Sequence, residues 1–89
     1  MYHNTRTRWY GDPVISRARL KELLIFRGLV VKRIRIKDGI PEYMEITSDG
    51  RYFNVSVIRD AQMYHYGYHG KELMDLINWL YEHGWSSGI

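Results

Sequence analysis

The sequence predicts an α+β domain, a two-layer sandwich in which two helices cover one face of a three-stranded antiparallel meander. A fourth strand joins the sheet if residues 63–66 pair. Three observations predict this fold. Apolar residues recur at helical spacing in two places, around 20–26 and 73–80. Between them, residues 29–58 alternate with a period of two. That alternating stretch is broken by Asp38-Gly39 and Asp49-Gly50, a dipeptide that reverses a strand because both positions tolerate positive φ. The expected order is α-β-β-β-(β)-α.

Residues 1–11 read as a basic, aromatic N-terminal arm ending at Gly11, and residues 12–89 as a single domain. Asp12-Pro13 suits a helix start, with Asp as cap and Pro at the first helical position; Ser16 is a second candidate cap. The helix is expected to run to Arg27 and stop at Gly28. Leu20, Leu23, Leu24 and Phe26 make its buried stripe, with Arg17, Arg19 and Lys21 toward water.

The first strand spans residues 29–37. Its alternation places Val30, Ile34 and Ile36 on the core face and Val31, Arg33, Arg35 and Lys37 on the other. Lys32 falls on the apolar side, near the strand's edge. A two-residue loop at Asp38-Gly39 would set Arg33 opposite Met44 and mix the faces. A three-residue loop, Asp38-Gly39-Ile40, keeps Ile34 opposite Met44 and is the expected register. Residues 43–47 form the second strand, with Met44 and Ile46 inward. Residues 51–58 form the third, with Phe53, Val55 and Val57 inward. A two-residue loop at Asp49-Gly50 then pairs Ile46 with Phe53 and Met44 with Val55. The open face of this sheet carries Val31, Arg33, Arg35, Tyr43, Glu45, Thr47, Tyr52, Asn54 and Ser56.

Arg59-Asp60-Ala61-Gln62 reads as a turn, and residues 63–66 as a short strand or an ordered loop. The last helix covers residues 70–83 and is closed by Gly84. Leu73, Leu76, Ile77 and Leu80 are its buried stripe, with Met74 and Tyr81 at the edge; Glu72, Asp75, Asn78 and Glu82 are its wet face. Trp79 lies off the stripe.

Charge is divided unevenly. Residues 1–37 hold ten Lys and Arg against two acids, a formal +8, and residues 38–89 hold three against eight, a formal −5. A basic half rich in Arg and Tyr is the footprint of a surface that meets nucleic acid or an acidic partner. Arg6, Arg8, Arg17, Arg19, Arg33 and Arg35 are the candidate phosphate contacts, with Trp9, Tyr43 and Tyr52 as stacking platforms for bases. The bland alternative is that Arg33 pairs with Glu45 across the ladder and the tyrosines are ordinary strand residues.

Aromatic residues make up 15% of the chain, so a protein partner is the competing reading. It assigns an exposed patch to Tyr64, Tyr66, Tyr68, Trp79 and Trp85, because aromatic side chains dominate interface hot spots. A small inhibitor or adaptor of the viral or mobile-element type would fit it. The acidic face of the last helix could also dock on the basic half of a second copy.

Other chemistry has little to stand on. There is no cysteine, hence no thiol nucleophile, disulfide or thiolate metal site. Gly-rich phosphate loops, nucleophile elbows and His-Glu-x-x-His pairs are missing. His65 and His69 are four apart, but Gly67 between them argues against the helix that would aim both at one ion. The expectation is a non-enzymatic binding protein without cofactor or metal. No apolar run approaches a membrane span, and the first residues lack a signal-peptide core, so a cytoplasmic location is expected.

The order helix, three strands, helix resembles that of the double-stranded RNA-binding domain. The resemblance is one of predicted topology. It implies no residue roles, since Gly70-Lys71-Glu72-Leu73 stands where that family has its lysine-rich helix start.

Overall fold

The computed structural model describes residues 7–12, 16–59 and 64–85. These form a small α+β domain in the order β1 (Thr7–Gly11), α1 (Arg17–Ile25), β2 (Val31–Lys37), β3 (Ile40–Ser48), β4 (Phe53–Arg59), β5 (Tyr64–Gly70) and α2 (Leu73–Glu82). Among the described residues the five strands make one sheet in the order β1-β2-β3-β4-β5, antiparallel throughout. Leu20 and Leu23 of α1 and Leu76 and Leu80 of α2 share one core with Val31, Met44, Ile46, Phe53, Val55 and Val57, so both helices lie on the same face. Burying each of these apolar side chains contributes roughly 1.5–3 kcal/mol.

The two-layer arrangement is as expected, but the sheet is wider. Thr7–Gly11, expected as the end of an arm, pairs with β2 as an edge strand. At the other edge the short strand or loop expected at residues 63–66 is a seven-residue strand, Tyr64–Gly70, which takes in Gly70, expected as the start of the last helix. Gly11 sits at φ +90, where a Cβ would lie 2.5 Å from the Lys32 carbonyl oxygen. Only glycine lets the strand end so close to its neighbour. Asp12 then exchanges hydrogen bonds with the Lys32 backbone, donating its N–H to the carbonyl and accepting the Lys32 N–H at Oδ2, each at 2.8 Å. It therefore ends β1 and does not cap α1. The cap is Ser16, whose hydroxyl accepts from the Arg19 N–H at 3.1 Å. Pro13, expected at the first helical position, lies outside the described residues, as does most of the expected turn after Arg59.

α1 ends at Ile25, two residues earlier than expected, with Phe26 as its C-cap. Only Leu20 and Leu23, one turn apart, reach the core; Leu24 and Phe26 point to solvent. Leu24 is one helical step of about 100° away from Leu23, and Phe26 lies past the last helical residue, so neither stays over the sheet. α2 matches its expected stripe at Leu76 and Leu80, but starts at Leu73 and ends at Glu82.

The decisive departure is the register of β2. Asp38 and Gly39 have φ of 54 and 80 and form a two-residue loop, with Lys37 opposite Ile40. This is the turn geometry whose twist matches the flanking strands. It sets Val31 opposite Ile46, Arg33 opposite Met44 and Arg35 opposite Glu42. Val31, Arg33 and Arg35 therefore face the helices, and Ile34 and Ile36 face outward, the reverse of the expected assignment. At the next loop Asp49 Oδ1 accepts from the N–H groups of Arg51 and Tyr52, both at 2.9 Å, and closes a four-residue turn. Ile46 then pairs with Val55 and Ser48 with Phe53. That register differs from the expected one by two residues, and a slip of two preserves the faces.

Candidate interaction surfaces

Arg33 and Arg35 enter the core beside two tryptophans. Arg33 is 1% exposed. Its guanidinium carbon lies 4.1 Å from the centroid of the Trp9 ring, and its Nη1 donates to the Trp85 carbonyl at 2.6 Å. Arg35 lies 4.0 Å from the Trp85 ring centroid, donates from Nη1 to the His83 carbonyl at 2.9 Å, and donates from Nε to Glu42 Oε1 at 2.5 Å. Trp9 and Trp85 meet edge to face at 6.0 Å. Cations and rings thus interleave, a geometry favourable to both.

Of the carbonyls that receive these arginines, that of His83 caps the C-terminal end of α2, where the helix dipole calls for positive charge, and that of Trp85 lies in the turn that follows. Burial, and then the charge of Arg35, lowers the pKa of Arg33, from a value so high that the group remains charged at neutral pH. Glu42, itself buried, completes the set and lies 3.9 Å from Arg59 Nε. These two arginines are structural cations and leave the expected phosphate-binding strip without its centre. Two shallow clefts flank Arg35. One, of about 390 Å³, is lined by Lys37, Asp38, Ile40, Glu42 and Arg59; the other, of about 360 Å³, by Thr7, Trp9, Lys37, Glu82, His83 and Gly84. Their charges are mixed, which favours no ligand class.

The remaining nucleic-acid candidates are dispersed. Arg6 lies outside the described residues. Arg8 is exposed on the outer face of β1, whereas Trp9 packs against the core. Arg17 is exposed on α1, and Arg19 is 3.4 Å from Glu22. Tyr43 is exposed on the outer face, and Tyr52 stacks on His69 at 4.7 Å in the loop region beside it. Only Arg8 and Tyr43 share the open sheet face, so the nine candidates do not form one surface.

The aromatic patch proposed for a protein partner is also drawn inward. Trp85 is 0% exposed, and its Nε1 donates to the Tyr66 hydroxyl at 3.3 Å. Tyr66 and Tyr68 are half-buried against Trp79, whose ring stacks on His83 at 4.1 Å. Burial, with smaller contributions from Asp75 and Glu72, raises the pKa of the Tyr68 hydroxyl. The Tyr64 side chain lies outside the described residues. Four of the five aromatics therefore close the core between β4–β5 and α2, where no flat exposed patch remains for them to form. His69 shares a 2.5 Å hydrogen bond with Asn54, and among the described residues no cluster of His, Asp and Glu is arranged to hold a metal.

The register of β2 creates a different surface. Tyr10 of β1, Ile34 of β2, Tyr43 of β3 and Ile58 of β4 are successive cross-strand partners on the face away from the helices. Tyr10 and Tyr43 are each 48% exposed and Ile58 is 46% exposed. Ile36 and Pro41 extend this band on one side, and Lys32 opposite Glu45 borders it on the other. Tyr10, Ile34, Ile36 and Ile58 were not among the expected site residues. For Ile34 and Ile36 the signal is the Asp38-Gly39 turn taken at its preferred length, which fixes the face of β2.

The chain matches no protein-family model, no curated protein and no solved structure. No described helix is long and apolar enough to cross a membrane.

Proposed function

We propose that the chain is a small non-enzymatic protein-interaction module, an adaptor or inhibitor, that docks through the open face of its sheet. The observation that carries this reading is the outward row Tyr10–Ile34–Tyr43–Ile58 across four strands, in which Tyr10, Tyr43 and Ile58 are exposed and Ile34 is half-buried. Contiguous apolar patches of a few hundred Å² on a domain surface are often functional. Tyrosine suits such a surface, since it offers large contact area with few torsions to fix. The internal roles of Arg33 and Arg35 weigh in the same direction, because they remove the most strongly cationic strand from the list of free phosphate contacts.

The test is photocrosslinking. A photoreactive phenylalanine analogue at position 43 should capture a protein, and the same analogue at the exposed Met74 position on α2 should not. No adduct from position 43, or equal adducts from both, would count against the reading.

One observation favours nucleic acid as a second reading. Arg17, Lys21 and Arg27 are exposed along α1 and its C-terminal turn, and Glu22 is the sole acid on that helix. A phosphate-binding helix predicts affinity that falls with salt, with a log–log slope of about −0.9 per duplex contact. Fluorescence anisotropy at low salt decides it. Saturable binding lost in Arg17→Ala/Lys21→Ala would favour this second reading.

A further inference from the structure

We infer that the occupant of the open sheet face is a second copy of this chain, packed face to face about a twofold axis. The axis runs along the strands midway between β2 and β3. This inference rests on the reading of that face as a docking surface and names its partner.

The argument is self-complementarity. Rotation about that axis carries β3 of the partner over β2, and β4 of the partner over β1, while keeping each row of cross-strand neighbours at the same height. The residues of one row therefore meet each other across the interface. Ile34 meets Tyr43 and Tyr10 meets Ile58, because these residues share one row in the registers observed. Ile36 meets Pro41 in the next row. On the other side of the apolar band, Lys32 and Glu45 are directly opposite each other and both exposed. The ion pairs among the described residues involve neither of them. The twofold sets Lys32 of each copy against Glu45 of the other, twice per dimer. A twofold interface needs a patch that complements itself in this way, and face-to-face sheets pack about 10 Å apart with aligned strands.

Size sets the strength. With strands about 4.8 Å apart and a rise of about 3.4 Å per residue, the patch over β1–β4 covers roughly 300–400 Å² in plan. Stable complexes bury about 800 Å² per partner, so this interface belongs at the weak, reversible end. A dissociation constant on the order of 10–100 µM is expected.

The experiment is sedimentation velocity on the full chain from about 5 to 500 µM, with circular dichroism to show that each variant is folded. The wild type should pass from monomer to dimer across this range. Tyr43→Lys, an exposed position, should weaken association at least about tenfold. Lys32→Glu and Glu45→Lys each place like charges together at both symmetric contacts and should also weaken it about tenfold. The double variant Lys32→Glu/Glu45→Lys restores opposite charges across the axis and should return to within about threefold of wild type. A wild-type chain monomeric throughout overturns the inference. So does a dimer indifferent to Tyr43→Lys, or a double variant that is not rescued. A monomeric chain that still crosslinks a different protein through position 43 sinks self-pairing and leaves the docking reading in place, whereas the lack of any crosslink sinks both.

Discussion

The Arg35 guanidinium lies 4.0 Å from the centre of the Trp85 ring, although the two residues are far apart in the chain. Around this contact β2 is fastened to the end of α2, since the same guanidinium binds the His83 carbonyl and the Glu42 carboxylate. The carbonyls of His83 and Trp85, a buried carboxylate and two indole rings thus depend on a pair of arginines within one strand.

Arg35→Ala should therefore be costly. It leaves Glu42 buried with only Arg59, at 3.9 Å, to answer its charge. Breaking one side of a buried pair costs about 3–5 kcal/mol. Arg35→Met/Glu42→Met, which removes both charges and keeps the volume, should recover at least half of that loss. Urea denaturation of the two variants checks this. An Arg35→Ala variant within about 1 kcal/mol of wild type would show the pair to be ornamental.

The Asp38-Gly39 loop fixes which side of β2 is wet, so it is the next place to intervene. Asp38 has φ of 54, a conformation that asparagine and glycine accept more easily than other residues. Asp38→Asn should raise the urea midpoint slightly, while Asp38→Val should cost about 1–2 kcal/mol. A valine variant as stable as wild type would mean that the turn does not impose the register.

That loop also explains what could be read from the sequence. Leu76 and Leu80 announce α2 by spacing alone, and Met44, Ile46, Phe53, Val55 and Val57 announce the inward faces of β3 and β4, because an apolar residue needs no particular partner to be buried. Arg33 and Arg35 cannot be read as internal by the same rule. Their burial is favourable only where Trp9, Glu42 and the carbonyls of residues 83 and 85 converge, and no local window contains that set. Hydrophobic pattern and turn chemistry disagreed over β2, and turn chemistry prevailed. Ile34, which joins Tyr10, Tyr43 and Ile58 into one outer row, is placed on the core face by the hydrophobic pattern for the same reason. β1 is not legible in the sequence because an edge strand of five residues, with a polar and aromatic composition, lacks a clear alternating signal.

Asp49 supplies a test in acid. Hydrogen bonds from the N–H groups of Tyr52 and Arg51 hold its carboxyl below the usual value. The native state therefore releases this proton more readily than the unfolded chain does. The loop's contribution is complete above the unfolded carboxyl value of about 3.9 and is lost as pH falls through the lower native one. Asp49→Asn cannot titrate, so the gap in urea midpoint between it and wild type should be wide at pH 7 and narrow near pH 2.5. A gap of equal width at both would refute the assignment of the loop's strength to the ionised carboxylate.

Trp85 is where the aromatic, cationic and helical contacts meet, and truncating it should be the most damaging single change among the described residues. The side chain is fully buried, lies under Arg35, meets Trp9 edge to face and donates to the Tyr66 hydroxyl. Its backbone carbonyl receives Arg33, and its backbone N–H donates to the Leu80 carbonyl at 2.8 Å. Trp85→Ala keeps the backbone contacts but opens a cavity larger than any neighbour can fill, at about 3–5 kcal/mol. That is close to the whole stability of a domain this small, so the variant should be largely unfolded by circular dichroism at 25 °C. Trp85→Phe retains a ring under Arg35 and gives up the indole N–H and part of the volume, so it should remain folded at a cost of about 1–2 kcal/mol. If the alanine variant melts cooperatively near the wild-type temperature, then α2 is held to the sheet by Leu76 and Leu80 alone, and the arginine–tryptophan cluster is not what closes this end of the core.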